Sequence, residues 1–374
     1  MNITILGTGF AALTAIKQTR KQAPNANITV IAPREEFVYM PSLIWIPSGL
    51  RKGSDLKINL HNFFNRQKVE FIEASVENIT DGGRTVITTQ GEYRNDGLII
   101  ASGGRFIKKL PGIEHAITPC EGIAAAEKIK SRLDSMSGGT IAIGFGGNPK
   151  EPSAMRGGPM FEFLFGIDNL LRKQGRRDQF KLVFFNPAPE PGKRLGPQVP
   201  EKLGAMMAKK GIETHLGNKM VGFEETTVKT EGGEFHADLI LFMPGMTGPA
   251  WLPNSELPKS EGGMIKADMH CLVEGYENTY VAGDAGSFPG PDWQAKQAHA
   301  ADLQANAAAK NLVKSLNGQT DFEVFKHELI CIVDTLKHGI LIKRTEKGTT
   351  LLPPCRLLHV AKRVFEWLYI RQYK

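Results

Sequence analysis

Long hydrophobic runs are missing from this chain. No stretch approaches the roughly 18 uninterrupted apolar residues that a spanning helix needs, so a transmembrane helix is excluded. Cysteine is scarce: the four cysteines, Cys120, Cys271, Cys331 and Cys355, lie far apart and match no zinc spacing, so no metal site is expected. In a cytosolic protein these are thiols, and a disulfide among them would be catalytic rather than structural. The start of the chain lacks a basic segment followed by an apolar stretch, so no signal peptide is expected. Low-complexity linkers are absent. The basic residues are dispersed without a nucleic-acid-binding motif, so nucleic acid is not an expected partner. What is present describes a soluble globular protein, with 41% hydrophobic and 23% charged residues. Its 374 residues suggest about two or three domains, and a net charge of +7 favours an anionic surface or substrate.

The organising stretch is the first. An apolar run, Asn2 to Leu6, meets the glycine-spaced turn Gly7-Thr8-Gly9-Phe10-Ala11-Ala12, and a helical pattern follows. This is the strand–loop–helix start of a dinucleotide-binding βαβ unit, in the form G-x-G-x-x-A. Gly7 permits the tight turn, Gly9 lets a pyrophosphate approach the backbone, and Ala12 lets helix and strand pack closely. The phosphates would rest on the unpaired amides of the helix N-terminus. A second strand follows at Ile28–Ile31, but the acidic residue expected at its end for a ribose is missing. Ala32-Pro33 stand there, and Glu35 and Glu36 come late.

Residues 69–94 read as short strands with glycine turns. Asp96 to Gly104 reads as a buried strand opening into the small-residue turn Ala101-Ser102-Gly103. A helix is expected over 121–137, and a second βαβ unit over Thr140 to Phe185. That unit fails the fingerprint: in Gly144-Phe145-Gly146-Gly147-Asn148-Pro149 the proline takes the third glycine position, and the next strand ends in Asn186 rather than an acid. It is read as a Rossmann-type domain without a competent nicotinamide site. From Phe235 the chain is expected to return to the first domain through the apolar run Asp238 to Gly245. Thr279 to Ala285, which contains Gly283-Asp284, and an alanine-rich helix over 295–314 would follow. The fold class is α/β, with two Rossmann-like domains: residues 1–110 with 235–316, and residues 111–234. A C-terminal unit, 317–374, completes the chain.

Three motifs thus stand in fixed order: Gly7-x-Gly9-x-x-Ala12, the turn after Ile100, and Gly283-Asp284. A carboxylate at a strand end suits a ribityl hydroxyl, and the helix near Ala295 can aim its amides at a flavin carbonyl. FAD is the cofactor this order implies.

With those motifs in place, the chain resembles the flavoprotein disulfide-reductase-like group. Within it, the resemblance is to sulfide:quinone oxidoreductase and the flavoprotein subunit of flavocytochrome c sulfide dehydrogenase. The likeness covers nearly the whole chain. It is sharpest at Phe37-Val38-Tyr39-Met40-Pro41-Ser42, at Gly158-Pro159-Met160-Phe161-Glu162-Phe163, at Met243-Pro244-Gly245-Met246-Thr247-Gly248, and in the tail from His359 to Trp367. It implies FAD held by Gly7, Gly9, Phe10, Ala11, Ala12 and Pro41, by Val76, by Ala101, Ser102 and Gly103, and by Gly283, Asp284 and Lys296. Met40 sits near where the flavocytochrome branch carries its flavin-linking cysteine, so the FAD is expected to be non-covalent. The implied activity is oxidation of sulfide to sulfane sulfur, with electrons passing through FAD to a quinone.

The family chemistry uses a thiol pair beside the flavin. Cys331 matches the cysteine that approaches the flavin from the C-terminal region, and Cys120 matches an auxiliary cysteine of some members. The second essential cysteine belongs two residues before Gly158-Pro159, where Arg156 stands instead. Cys331, Cys120 and Lys296 are therefore the catalytic candidates. Lys296 would stabilise reduced anionic flavin, and Arg156 is expected to supply a cation that lowers the Cys331 pKa. Cys271 and Cys355 have no match. Two other readings stay open, a type II NADH:quinone oxidoreductase and a non-catalytic redox-responsive flavoprotein.

The tail, Arg356 to Lys374, places Leu357, Val360, Ala361, Val364, Phe365 and Leu368 on one helical face among cations and aromatics. It is expected to lie on a membrane surface, making the protein peripheral on the cytoplasmic, inner face. Its deletion is expected to leave a soluble flavoprotein. Sulfide and a quinone are the small-molecule partners. Nothing in the sequence sets the oligomeric state, and a homo-oligomer stays open.

Overall fold

A computed structural model describes residues 1–374. The opening apolar run forms strand β1 (Asn2–Leu6), and helix α1 (Phe10–Gln22) begins after the glycine turn, with Gly9 as its N-cap. Strands β2 (Asn27–Ala32), β3 (Val69–Glu73) and β4 (Gly97–Ile100) follow. A three-stranded antiparallel sheet over Val76–Thr80, Thr85–Thr88 and Gly91–Arg94 lies between β3 and β4. The next βαβ unit runs through α2 (Ile123–Ser135), β5 (Gly139–Phe145), α3 (Gly158–Lys173), β6 (Phe180–Asn186), α4 (Val199–Lys209), β7 (Ile212–Leu216) and β8 (Leu239–Met243). Then come β9 (Thr279–Val281), α5 (Ala298–Leu316), the strands β10 (Glu328–Asp334), β11 (Gly339–Thr345) and β12 (Gly348–Leu351), and the closing helix α6 (Arg356–Arg371).

Two parallel sheets carry the fold. The first has the order β9-β4-β1-β2-β3, with Ile5 paired to Val30 on one side and Ile99 on the other. The second has the order β7-β6-β5-β8, and β10-β11-β12 form a separate antiparallel sheet. The pairing corrects one boundary. The run Asp238 to Gly245 does not return to the first domain: β8 lies beside β5, with Leu241 opposite Ile143, and the first sheet is rejoined only at β9, which pairs with β4. Parallel strands covered on both faces all read as continuous apolar runs, so hydrophobicity alone does not say which sheet such a strand joins.

Small residues set the packing of the first domain. Ala12 and Ala15 of α1 and Ala305, Ala308 and Ala309 of α5 are buried in one cluster with Ile5, Ile99 and Leu312, which brings the two helices close over the sheet. The antiparallel sheet belongs to the other core: Leu329, Val333, Ile340 and Ile342 pack with Phe161, Phe165 and Phe184. Strand β10 is thereby pressed against α3, and this contact delivers its cysteine to the site.

Candidate functional site

A cavity of about 1950 Å³ opens at the C-terminal ends of β1 and β4 and reaches α3, β10 and α6. This is the crevice where open α/β sheets bind ligands. Gly9, Phe10, Ala11, Pro41, Ala101, Gly103, Gly283, Asp284 and Lys296 line it. Gly7, Ala12 and Ser102 stand just behind the lining. Gly7 has φ +111°, and a Cβ there would collide with the Ala101 carbonyl, so the turn requires glycine. Gly9 is different: a Cβ there meets no protein atom within 4 Å, and the space in front of it belongs to the cavity. The Ser102 hydroxyl is buried without a partner in the protein. An open glycine at a helix N-terminus and an unsatisfied hydroxyl beside it fit the pyrophosphate and hydroxyls of FAD. Val76 departs from expectation. It lies on the antiparallel hairpin, packs against the cluster that contains Leu6 and Ile31, and lines none of the cavity. Its side chain is used to seat that hairpin.

Lys296 is buried, and its ammonium donates to the Gly286 carbonyl and lies 5.4 Å from the Phe288 ring centre. Burial lowers its pKa, with Asp284 and Glu151 opposing. A buried cation paired only with a neutral carbonyl favours an anion in the cavity beside it. The helix expected from Ala295 starts at Ala298, with Gln297 as N-cap, and residues 295–299 line the cavity ahead of its first turn.

Arg156 does point into the cavity, but its guanidinium is ion-paired with Asp284. The cation beside Cys331 is Lys362 of α6, which the sequence reading missed. Lys362 is held by Glu162 of α3 and donates to the Ile332 carbonyl at 3.0 Å. Burial works against its charge, yet Glu162 and Cys331 more than offset this, and its pKa is raised. Glu162 also accepts from the Asp334 amide at 2.7 Å, and burial pushes its carboxyl up to about 7. Both residues sit in stretches that carried the family resemblance, which was the available signal. Opposite charges seventeen turns of chain apart in sequence gave no hint that they meet.

Cys331 on β10 is partly buried, its sulfur 3.9 Å from where a Cβ on Gly158 would lie. Burial pushes its thiol up to about 12, Glu162 adding to the rise and Lys362 opposing it. The expected thiolate is therefore a thiol at rest, and Glu162 is the nearby base that can take its proton. Cys120 is buried in the turn Pro119–Glu121, its thiol also pushed up to about 12 by burial, with Arg156 opposing. Alkylation of Cys331 by iodoacetamide, followed by mass spectrometry, should be slow at neutral pH and rise without a plateau to pH about 10. A plateau below pH about 9 would contradict this environment. Cys271 is buried and its sulfur donates weakly to the Gln304 carbonyl at 3.5 Å, while Cys355 is the N-cap of α6. All four thiols are free.

The second fingerprint is closed by the chain itself. Between β5 and α3, Asn148 is buried and donates to the carbonyls of Met246 at 2.9 Å and Gly262 at 3.0 Å. Gly245 packs so closely on Gly147 and Asn148 that no side chain would fit. Asn186 donates to the Phe145 carbonyl at 2.8 Å and accepts from the Ala188 amide at 2.9 Å. The polar groups at both positions a nicotinamide dinucleotide would use are satisfied within the protein.

Helix α6 is inverted relative to an ordinary docked helix. His359, Lys362, Glu366, Tyr369 and Ile370 face the protein, where Glu366 pairs with Arg51 and Tyr369 packs on Phe10, Phe37 and Tyr39. The apolar side faces out: Leu357 is 76% exposed, Phe365 59%, and Val360, Val364, Trp367 and Leu368 about half. Ala361, Lys362 and Phe365 also line the cavity, as does Ile330 of β10. Deleting this helix would leave Glu162 and Asp334 without partners in the interior, at about 3–5 kcal/mol for each broken buried pair, so truncation does not leave the intact flavoprotein expected. No helix is long and apolar enough to cross a membrane.

Comparison with known proteins places this geometry. A family profile described as pyridine nucleotide-disulphide oxidoreductase matches residues 1–305. The chain is 24% identical over 356 residues to a sulfide-quinone reductase of Aquifex aeolicus (strain VF5), covering 89% of this chain and 81% of that protein. It is equally 24% identical over 352 residues to a type II NADH:quinone oxidoreductase of Staphylococcus aureus (strain NCTC 8325 / PS 47), covering 88% and 86%. Among solved structures, the sulfide:quinone oxidoreductase of Aquifex aeolicus superposes with a TM-score of 0.90 at 21% identity, over 100% of this chain and 91% of the other. The NDH2 of Plasmodium falciparum in complex with NADH gives 0.74 at 12% identity, over 100% and 96%. At these identities the structural likeness establishes the fold alone.

Proposed function

This chain belongs to the pyridine nucleotide-disulphide oxidoreductase family, and from that membership we propose that it oxidises sulfide to sulfane sulfur and passes the electrons to a quinone at a membrane surface. It is an oxidoreductase with FAD as cofactor. The observation that carries the sulfide reading is Cys331, presented to the cavity beside the Glu162–Lys362 pair. When bound, FAD supplies the two-electron acceptor. Glu162 takes the Cys331 proton, Lys362 supports the thiolate, and Lys296 supports negative charge that develops on the opposite wall. The cysteine pair is reduced to one candidate at the flavin, because Arg156 holds Asp284 where the second thiol would stand.

The relatives include an NADH-oxidising enzyme, and the loop around Asn148 weighs against that reading. A dinucleotide would have to displace two hydrogen bonds and a glycine contact to reach the backbone there.

Quinone access and membrane attachment rest on α6. The cavity reaches the surface between Ile330 and Phe365, beside the outward apolar face, so a quinone could enter from a bilayer without crossing water. Cations on and near α6 add roughly 1 kcal/mol each towards an anionic surface, weakened by salt. On this reading the protein is peripheral on the cytoplasmic face. Flotation with anionic liposomes tests it: Leu357→Glu with Val364→Glu should release the protein while FAD content and melting temperature stay unchanged. Equal flotation of variant and wild type would contradict the reading.

A further inference from the structure

Beneath α6 lies a run of ionisable groups that the sulfide step does not use. Asp334, at the end of β10, is buried, and its carboxylate has three partners. These are His359 Nδ1 at 2.7 Å, the indole N–H of Trp45 at 3.1 Å and the Leu336 amide at 2.8 Å. The Asp334 amide donates in turn to Glu162, and Glu162 holds Lys362, one turn of α6 beyond His359. The cavity is at the Glu162 end. At the other end the His359 ring packs edge-on to Trp45 and its side chain is 13% exposed. His338, Lys337 and Arg356 lie near that end, together with Lys210 of the second domain. Arg51, paired with Glu366, flanks Trp45 from the opposite side, and Cys331 adjoins Glu162 and Lys362.

We propose that the His359–Asp334 pair is the proton inlet of this site, carrying protons from water to the Glu162–Lys362 pair. The inference rests on the quinone reading above. In that reaction HS⁻, one proton and a quinone give sulfane sulfur and hydroquinone. Two electrons leave the sulfur for the quinone, the sulfide proton stays in the site, and one further proton is drawn from bulk water in each turnover. An apolar mouth turned to a bilayer does not supply that proton. The His359 side opens to water instead. There Nε2 gains a proton while Nδ1 releases one to Asp334, whose carboxyl recharges Glu162 and Lys362. His359 acts through these groups and is a positioning residue for proton supply, without touching substrate.

The test uses full-length, FAD-loaded protein. The enzyme is reduced with dithionite without oxygen and mixed with a short-chain quinone, and return of the flavin colour is followed from pH 6 to 9. His359→Asn keeps an N–H donor for Asp334 but does not titrate. It should slow the return by on the order of 10²-fold at high pH, less at low pH, with recovery on adding imidazole as a diffusible proton carrier. FAD content and melting temperature should match wild type. A wild-type rate in His359→Asn, or a slow rate that neither pH nor imidazole moves, would overturn the inlet and leave the pair as a fastening for α6. Should the variant lose its FAD, the wild type decides: slowing in D2O at high pH supports the inlet, and no slowing overturns it. Wild-type enzyme that quinone does not reoxidise at all would remove the quinone reading and this inference with it. Failure of sulfide to reduce the enzyme would remove only the sulfide reading.

Discussion

Cys331→Ser should abolish sulfide-dependent quinone reduction while the protein stays yellow. The substitution removes one polarizable atom at a partly buried strand position and leaves the β10–β11 pairing, where Cys331 faces Ile342, untouched. The Glu162–Lys362 pair remains, because the sulfur makes no hydrogen bond that holds it. What changes is chemistry. Glu162, with its carboxyl pushed up to about 7 by burial, is a base that can accept a thiol proton, whereas a serine hydroxyl at the same place stays protonated. Loss of a nucleophile at an otherwise intact site costs at least about 10³-fold in turnover. Cys120→Ser should slow turnover without abolishing it, and Cys271→Ser and Cys355→Ser should stay near wild type. Cys355 is the N-cap of α6, where serine is the better cap, so Cys355→Ser should if anything stabilise the helix. Equal sulfide–quinone rates for Cys331→Ser and wild type would remove Cys331 from the mechanism.

The second large effect separates the two glycines of the opening turn. Gly9→Val should give a folded, colourless protein. A side chain at Gly9 meets no protein atom within 4 Å, so the fold accepts it, but it projects into the space a pyrophosphate needs. Gly7→Ala should act on the fold instead, because Gly7 has φ +111° and its Cβ would meet the Ala101 carbonyl. Strain of that kind costs about 1–3 kcal/mol. Flavin absorbance after gel filtration, with melting temperatures on the same samples, distinguishes the outcomes. Gly9→Val that keeps stoichiometric FAD would contradict the placement of the dinucleotide. Wild-type flavin that stays attached after acid denaturation would contradict the non-covalent assignment.

What the sequence revealed follows from what is local in it. The β1–α1 turn, the small-residue turn at Ala101 and the Gly283-Asp284 strand end are backbone devices written in consecutive residues, and they meet at one cavity. The outward apolar stripe of α6 was visible in its periodicity. Its inward side was not, since pairing Lys362 with Glu162 and His359 with Asp334 requires knowing that β10 lies against α3. The sheet joined by β8 was hidden for a related reason: buried parallel strands look alike. Arg156 was visible as a departure, but its partner Asp284 lies 128 residues away and was found only in three dimensions. That pairing alters what Arg156→Cys should do. It restores a thiol near Gly158 and at the same time leaves Asp284 unpaired at the cofactor site, so any gain in sulfide turnover should come with weaker FAD retention.

The central claim is that electrons enter this flavoprotein from sulfide at Cys331 and not from a nicotinamide at the second fingerprint. Anaerobic stopped-flow absorbance of the FAD-loaded protein, mixed in turn with sulfide and with NADH, tests it most directly. The account gives rapid bleaching by sulfide, reversed by quinone, and little bleaching by NADH over the same time. Bleaching by NADH at catalytic rates, with none by sulfide, would contradict it.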